Sequence, residues 1–134
     1  MVECTLGRVV LHDGSDRQLV YLVEREGERG FPIVIGSSEA HEIYRVLHGR
    51  DPERPLTHKL AHDLVLALGA TVKHVDVVDL RQNTFFAQIA LSNEGGDVLA
   101  VVDARPSDAI ALAIRSRCTI RVAEDVLAKA APEA

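Results

Sequence analysis

A single-domain α+β fold with a mainly antiparallel sheet is predicted by three features of the sequence. Short apolar runs of strand length recur along the chain, helix-like stretches with a three-to-four-residue apolar period sit among them, and the connections are short and rich in Gly, Pro, Asp and Asn. The 134 residues suit one domain spanning 1–134, with its core over about 5–128. At this length a chain buries roughly two-thirds of its unfolded surface, enough for one core without disulfide or metal staples.

Taken in order, Leu6 to Leu11 reads as a strand ended by the turn cluster His12-Asp13-Gly14-Ser15-Asp16, and Leu19 to Val23 as its partner. Glu24 to Gly30 is a charged turn, and Phe31 to Ile35 is a third strand with Pro32 near its start, where a missing N–H is tolerated. A helix runs from Gly36-Ser37-Ser38-Glu39 to about Leu47, capped by Ser37 or Ser38, with Ala40, Ile43, Tyr44 and Leu47 as its apolar stripe. After the polar loop Gly49 to Pro55, a second helix is capped by Thr57, stops at Gly69 and turns Leu60, Leu64, Ala67 and Leu68 to one face. Thr71 to Leu80 and Thr84 to Leu91 form two strands joined around Arg81-Gln82-Asn83, and Asn93 to Asp97 turns the chain into a strand over Val98 to Val102. Pro106 opens the third main helix, to about Arg115, whose centre from Ala109 to Ile114 is apolar all round and therefore buried. A short strand over Ile120 to Val122 and a short C-terminal helix over Glu124 to Lys129 complete the chain, with 130–134 expected to fray.

Composition limits the function classes. Aromatic residues are 4% and Trp is absent, so there is little material for stacking single-stranded bases. The net charge of −5 and pI near 5.6 argue against a duplex binder held by a broad basic face, though not against an enzyme that meets phosphates through a few Arg. Cys4 and Cys118 lack a C-x-x-C companion and read as packed thiols. With no apolar run of membrane length and no h-region after Met1, a cytoplasmic setting is expected.

Two stretches carry candidate chemistry. Asp103-Ala104-Arg105-Pro106-Ser107-Asp108 sits where a strand ends and a helix begins, a junction whose free helix N–H groups favour an anion. Arg105 and Asp108 are three residues apart, and Asp108 and Arg115 seven, so each pair can share a face. A capping carboxylate with ion pairs that hold a buried helix in register has the same pattern. In Arg54-Pro55-Leu56-Thr57-His58-Lys59-Leu60-Ala61-His62, the two histidines share one helical face, as metal ligands would. Lys59 stands where an H-E-x-x-H motif has Glu, which excludes zinc-protease chemistry; the plainer reading is a polar face beside a Leu60/Leu64 core stripe. The remaining histidines, His12, His41, His48 and His74, read as solvated or packed, and Asp76, Asp79, Asp97 and Asp103 are the carboxylates open to Mg²⁺ or Mn²⁺. No G-x-S-x-G, P-loop or dinucleotide fingerprint occurs.

R-P-L-T-H at 54–58, D-L…T-F-F-A over 79–87, D-A-R-P-S-D-A-I-A-L-A-I-R at 103–115 and P-I-V-I-G-S-S-E-A at 32–40 together resemble the bifunctional nuclease family, over roughly residues 5–128. That family occurs in bacteria with relatives in plants, and its members are described as having DNase and RNase activity. The resemblance implies a one-domain α+β fold, self-association with a dimer as the first expectation, and metal-assisted hydrolysis of DNA and RNA as transient substrates. The matching polar residues are Arg54, Thr57, His58, Asp103, Arg105, Ser107, Asp108 and Arg115. For phosphodiester hydrolysis, Asp103 and Asp108 would hold a divalent metal (Mg²⁺ or Mn²⁺) or its water, and His58 would move protons. Arg54, Arg105 and Arg115 would meet phosphate, Arg105 as a bidentate clamp, with Thr57 and Ser107 as helix caps or supports. The family pattern usually has an acidic residue after the Thr-His pair; here it is Lys59, with Asp63 one turn on. A non-enzymatic oligomeric module using the same Arg/Asp/His cluster for protein contacts is the other reading. An open cleft at the cluster favours the nuclease, and a buried, fully paired cluster favours the module.

Overall fold

The computed structural model describes residues 1–132. Seven strands, β1 (Val2–Val10), β2 (Arg17–Glu24), β3 (Gly30–Gly36), β4 (Thr71–Arg81), β5 (Thr84–Ser92), β6 (Val98–Ala104) and β7 (Thr119–Val122), form one sheet in the order β3-β2-β1-β7-β4-β5-β6. All neighbours are antiparallel except β4 and β7. The helices are α1 (Ser37–Leu47), α2 (Thr57–Ala67), α3 (Pro106–Ser116) and α4 (Glu124–Ala130). The α+β class and the mainly antiparallel sheet are as the sequence predicts.

The sheet coils around α3. That helix packs against β3, β4, β5 and β7, and Phe31 of β3 stacks on Phe85 of β5 at 5.5 Å although four strands separate them in the sheet. Strand twist makes such closure natural, and small side chains allow it. Ala109, Ala111 and Ala113 let α3 approach the strands closely, and Ile110 is fully enclosed. One face of each strand supplies the rest of the core, with Val20, Leu22, Ile33, Val75, Val77 and Val122 nearly inaccessible. The β4–β5 turn uses Gln82 and Asn83, both with positive φ (49° and 62°), the backbone that matches strand twist in a two-residue hairpin.

Several expectations change. β1 starts at Val2, four residues before Leu6, which places Cys4 in the core; burial pushes its thiol up to about 11, and both cysteines are free. The first turns of α1 and α2 have no side-chain cap, so neither Ser37, Ser38 nor Thr57 caps. Ala130 closes α4 and with Ala131 packs on the core, so the expected fraying does not begin there; positions 133–134 of that tail lie outside the described residues. On α1, Ala40 and Ile43 are buried while Tyr44 and Leu47 stay exposed.

The largest change is in α2. Leu60 and Leu64, expected in the core, are 48% and 57% exposed, and Leu66 and Leu68 are exposed as well. The inward face is instead His58, Ala61, His62 and Val65, which repeat at the same helical period. Edge strand β6 is also bare: it packs on β5, and Val98, Leu99, Val101 and Val102 are exposed. Among the described residues no helix is long and apolar enough to cross a membrane.

Because Ile110 is enclosed on every side, Ile110→Ala is expected to cost about 2–5 kcal/mol of stability through lost contacts and a residual cavity. Urea unfolding followed by circular dichroism measures it.

Candidate functional site

The inward face of α2 brings the two polar stretches together. His58 Nε2 lies 2.9 Å from Asp108 Oδ1, a contact between residues 50 positions apart in sequence. Asp108, in the first turn of α3, accepts a second hydrogen bond on Oδ2 from Arg105 Nε at 3.0 Å. Arg105 Nη2 continues the chain to Glu39 Oε1 of α1 at 2.7 Å. His58, Asp108, Arg105 and Glu39 thus form one line of alternating charge and hydrogen bonding across three helix starts. Burial alone would push the Asp108 carboxyl up, but the hydrogen bonds from His58 and Arg105 outweigh it and hold it below the usual carboxylate range. Asp108 is therefore held as a carboxylate between His58 and Arg105, and it fixes the orientation of the imidazole.

A second network lies beneath. Glu42 of α1 is 1% exposed and accepts from Arg115 Nε at 2.7 Å, again from Arg115 Nη2, and from Arg45 Nη2 at 3.1 Å. Arg115 also holds Asp51 through Nη1 at 3.1 Å and Nη2 at 2.8 Å. Those hydrogen bonds keep the Asp51 carboxyl below its ordinary value. The network ties α1 to α3 and pins the loop that leads into α2. His62, packed one turn after His58, has its imidazole pushed down by burial and by the nearby Arg115 charge.

The other expected site residues are placed differently. Arg115 is 9% exposed with Nε, Nη1 and Nη2 all engaged by carboxylates, so it is a structural cation rather than a phosphate contact. Asp103 is exposed on β6; its neighbour Ala104 packs on the core, so strand alternation turns Asp103 to the opposite sheet face, beside Gln88. Asp103 and Asp108 consequently do not form a pair. Arg54 is exposed in the loop before α2, and Thr57 is the first residue of that helix, also exposed. Ser107 is buried in the first turn of α3 without capping it, because Arg105 occupies the N-cap position. Lys59 pairs with Asp63 at 2.9 Å along the α2 surface. Glu39, Glu42 and Asp51 are not among the site residues expected from the sequence, although Glu39 and Glu42 directly flank the buried Ala40 and Ile43.

The donor set does not fit a resident divalent metal. Both Asp108 oxygens are occupied by His58 and Arg105, Asp103 is on the other face, and among the described residues no group of three or more His, Cys, Asp or Glu side chains converges. The arrangement instead offers an oriented imidazole next to a largely exposed guanidinium. Arg105, with its side chain 70% exposed, also lines a cavity of about 400 Å³ between β3, the β4–β5 turn and the start of α3.

Two outcomes follow from this electrostatic arrangement. Arg115→Met leaves the buried Glu42 carboxylate with Arg45 as its one remaining cation and is expected to cost about 3 kcal/mol, read from urea midpoints. The folded His62 pKa lies below its unfolded value, so its contribution is present above the unfolded value of about 6.5 and is lost as pH falls through the folded one. His62→Gln is expected to flatten the loss of stability between about pH 7 and 5, measured by urea titrations across that range.

Similarity to known proteins agrees with the geometry. A family model described as "Bifunctional nuclease domain" matches residues 20–134. Two curated Mycobacterium tuberculosis relatives, uncharacterized protein MT1877 of strain CDC 1551 / Oshkosh and uncharacterized protein Rv1829 of strain H37Rv, are each 43% identical over 116 residues. Those matches cover 87% of this chain and 68% of each relative. With its two motif stretches joined through His58 and Asp108, the chain belongs to the bifunctional nuclease domain family.

Proposed function

We propose that this protein hydrolyses phosphodiester bonds of DNA and RNA with low sequence specificity, using His58 as the proton-transfer group. The observation that carries this reading is the 2.9 Å bond from His58 Nε2 to Asp108, which leaves Nδ1 without a partner among the described residues. Nδ1 is not among the fully buried unpaired atoms, so it remains reachable by water. Asp108 keeps the proton on Nε2 and leaves the Nδ1 lone pair free, then stabilises the imidazolium once it forms. The Nδ1 lone pair takes a proton from water as its oxygen bonds to phosphorus. The bond from phosphorus to the leaving sugar oxygen breaks, and the imidazolium returns the proton to that oxygen. Arg105 Nη1, unengaged by the protein among the described residues, faces the charge developing on the phosphoryl oxygens. The two free thiols suit a reducing cytoplasm.

The engagement of Arg105 by both Asp108 and Glu39 favours the other reading, a binding module in which the cluster is purely structural. Cleavage of labelled single-stranded DNA and RNA in Mn²⁺, Mg²⁺ or EDTA separates the two. His58→Ala and Asp108→Asn, shown by circular dichroism to be folded, are expected to lower cleavage about 10²–10⁴-fold. Folded variants that cut as fast as the wild type would overturn the assignment.

Self-association through β6 belongs to the same proposal. The other sheet edge, β3, is broken by Pro32, whereas β6 offers free backbone groups with uncharged residues from Val98 to Val102. Branched side chains are exposed on both of its faces, and exposed leucines on α2 add to the uncovered apolar surface. A second copy of the chain meets this edge with the same edge, as a two-fold interface requires. A standard interface needs about 800 Å² from each partner, which β6 can supply only with adjoining apolar surface. Sedimentation equilibrium is expected to show a dimer for the wild type and a monomer for Val101→Lys; a wild-type monomer at micromolar concentration would rule it out.

A further inference from the structure

We infer that the cavity between β3, the β4–β5 turn and the start of α3 binds one nucleotide unit, with its phosphate on Arg17, Arg105 and Ser107. This rests on the nucleic-acid reading of the neighbouring His58–Asp108 pair and narrows it to single-stranded ends. The two guanidinium groups come from elements 88 residues apart and line the same cavity. Arg17 is exposed and forms no salt bridge among the described residues, so its charge is available. Ser107 is 8% exposed, and its hydroxyl has no hydrogen-bond partner, yet it is absent from the fully buried unpaired atoms among the described residues. A polar group that is otherwise enclosed and keeps its remaining access toward a cavity is placed for a ligand. It sits in the first turn of α3, an end of the helix dipole that favours negative charge.

The dimensions choose among nucleic-acid ligands. A volume of about 400 Å³ suits a small molecule of nucleotide size. Charge favours a single unit over a duplex: the chain carries −5 overall, and this cavity offers two Arg where a duplex footprint draws on many cations. The same cavity is also lined by Phe85, held by its stack on Phe31, and by Pro32, which supply apolar surface for a base. Asn83 and Thr84 at the turn supply polar groups at its edge without a base-reading pattern, which accords with low sequence preference. The cavity therefore holds a terminal nucleotide, or the nucleoside monophosphate released from it, while the linkage beside it meets His58.

Isothermal titration with AMP, UMP, adenosine and inorganic phosphate tests this on the intact wild-type protein. Both monophosphates are expected to bind, with adenosine and phosphate each at least about tenfold weaker, since neither spans both ends. Arg17→Ala and Ser107→Ala, checked for unchanged thermal unfolding, are expected to weaken AMP about tenfold or more. Equal binding of phosphate and AMP, no AMP binding, or AMP binding indifferent to Arg17 would each overturn the proposal. Cleavage without AMP binding removes the cavity and leaves the nuclease; AMP binding without cleavage removes the nuclease and leaves the cavity.

Discussion

The enclosed Glu42 carboxylate is the constraint on which the functional end of the molecule depends. A charge removed from water must be matched locally, and here Arg115 and Arg45 match it from α3 and from α1 itself. Meeting that demand fixes the distance and rotation between the two helices. It also leaves Arg115 with donors for Asp51, which anchors the loop carrying Arg54 and delivers the first turn of α2 to the first turn of α3. The line from His58 to Glu39, of which only Arg105 is well exposed, is built on top of this one. Its residues need no strong forces of their own to meet, because the helices that present them are already set.

This division of labour explains a feature that would otherwise look like a fault in α2. A short helix with leucines facing out and histidines facing in loses apolar burial. The loss is partly offset at His58, whose imidazole finds Asp108, while burial and then the Arg115 charge push the His62 imidazole pKa down. The outward leucines then become surface available to another molecule rather than core.

Much of the architecture was legible from local signals. Pro106 at a helix start, an all-apolar helix centre, alternating strands around a two-residue turn and Gly69 as a stop each have a mechanism acting over a few residues. The face of α2 was not legible, because Leu60/Leu64 and His58/His62 repeat with the same period and hydrophobicity alone selects the leucines. What reversed the choice was a partner 50 residues away. Arg115 was misjudged for the same reason: its spacing from Asp108 was visible, but the buried Glu42 that captures it was not. Asp103 turned on a single step of strand register, since Ala104 faces the core and its neighbour therefore cannot.

The four residues of β7 carry a consequence for how the chain is made. They lie between β1 and β4 and are the splice between two three-stranded antiparallel halves of the sheet. During synthesis both halves can form their hairpins early, yet each keeps one open edge, β1 and β4, until residues 119–122 have left the ribosome. The nascent chain thus carries the β1 edge open from early in its elongation and the β4 edge open as well from about residue 81, and both close together when β7 arrives.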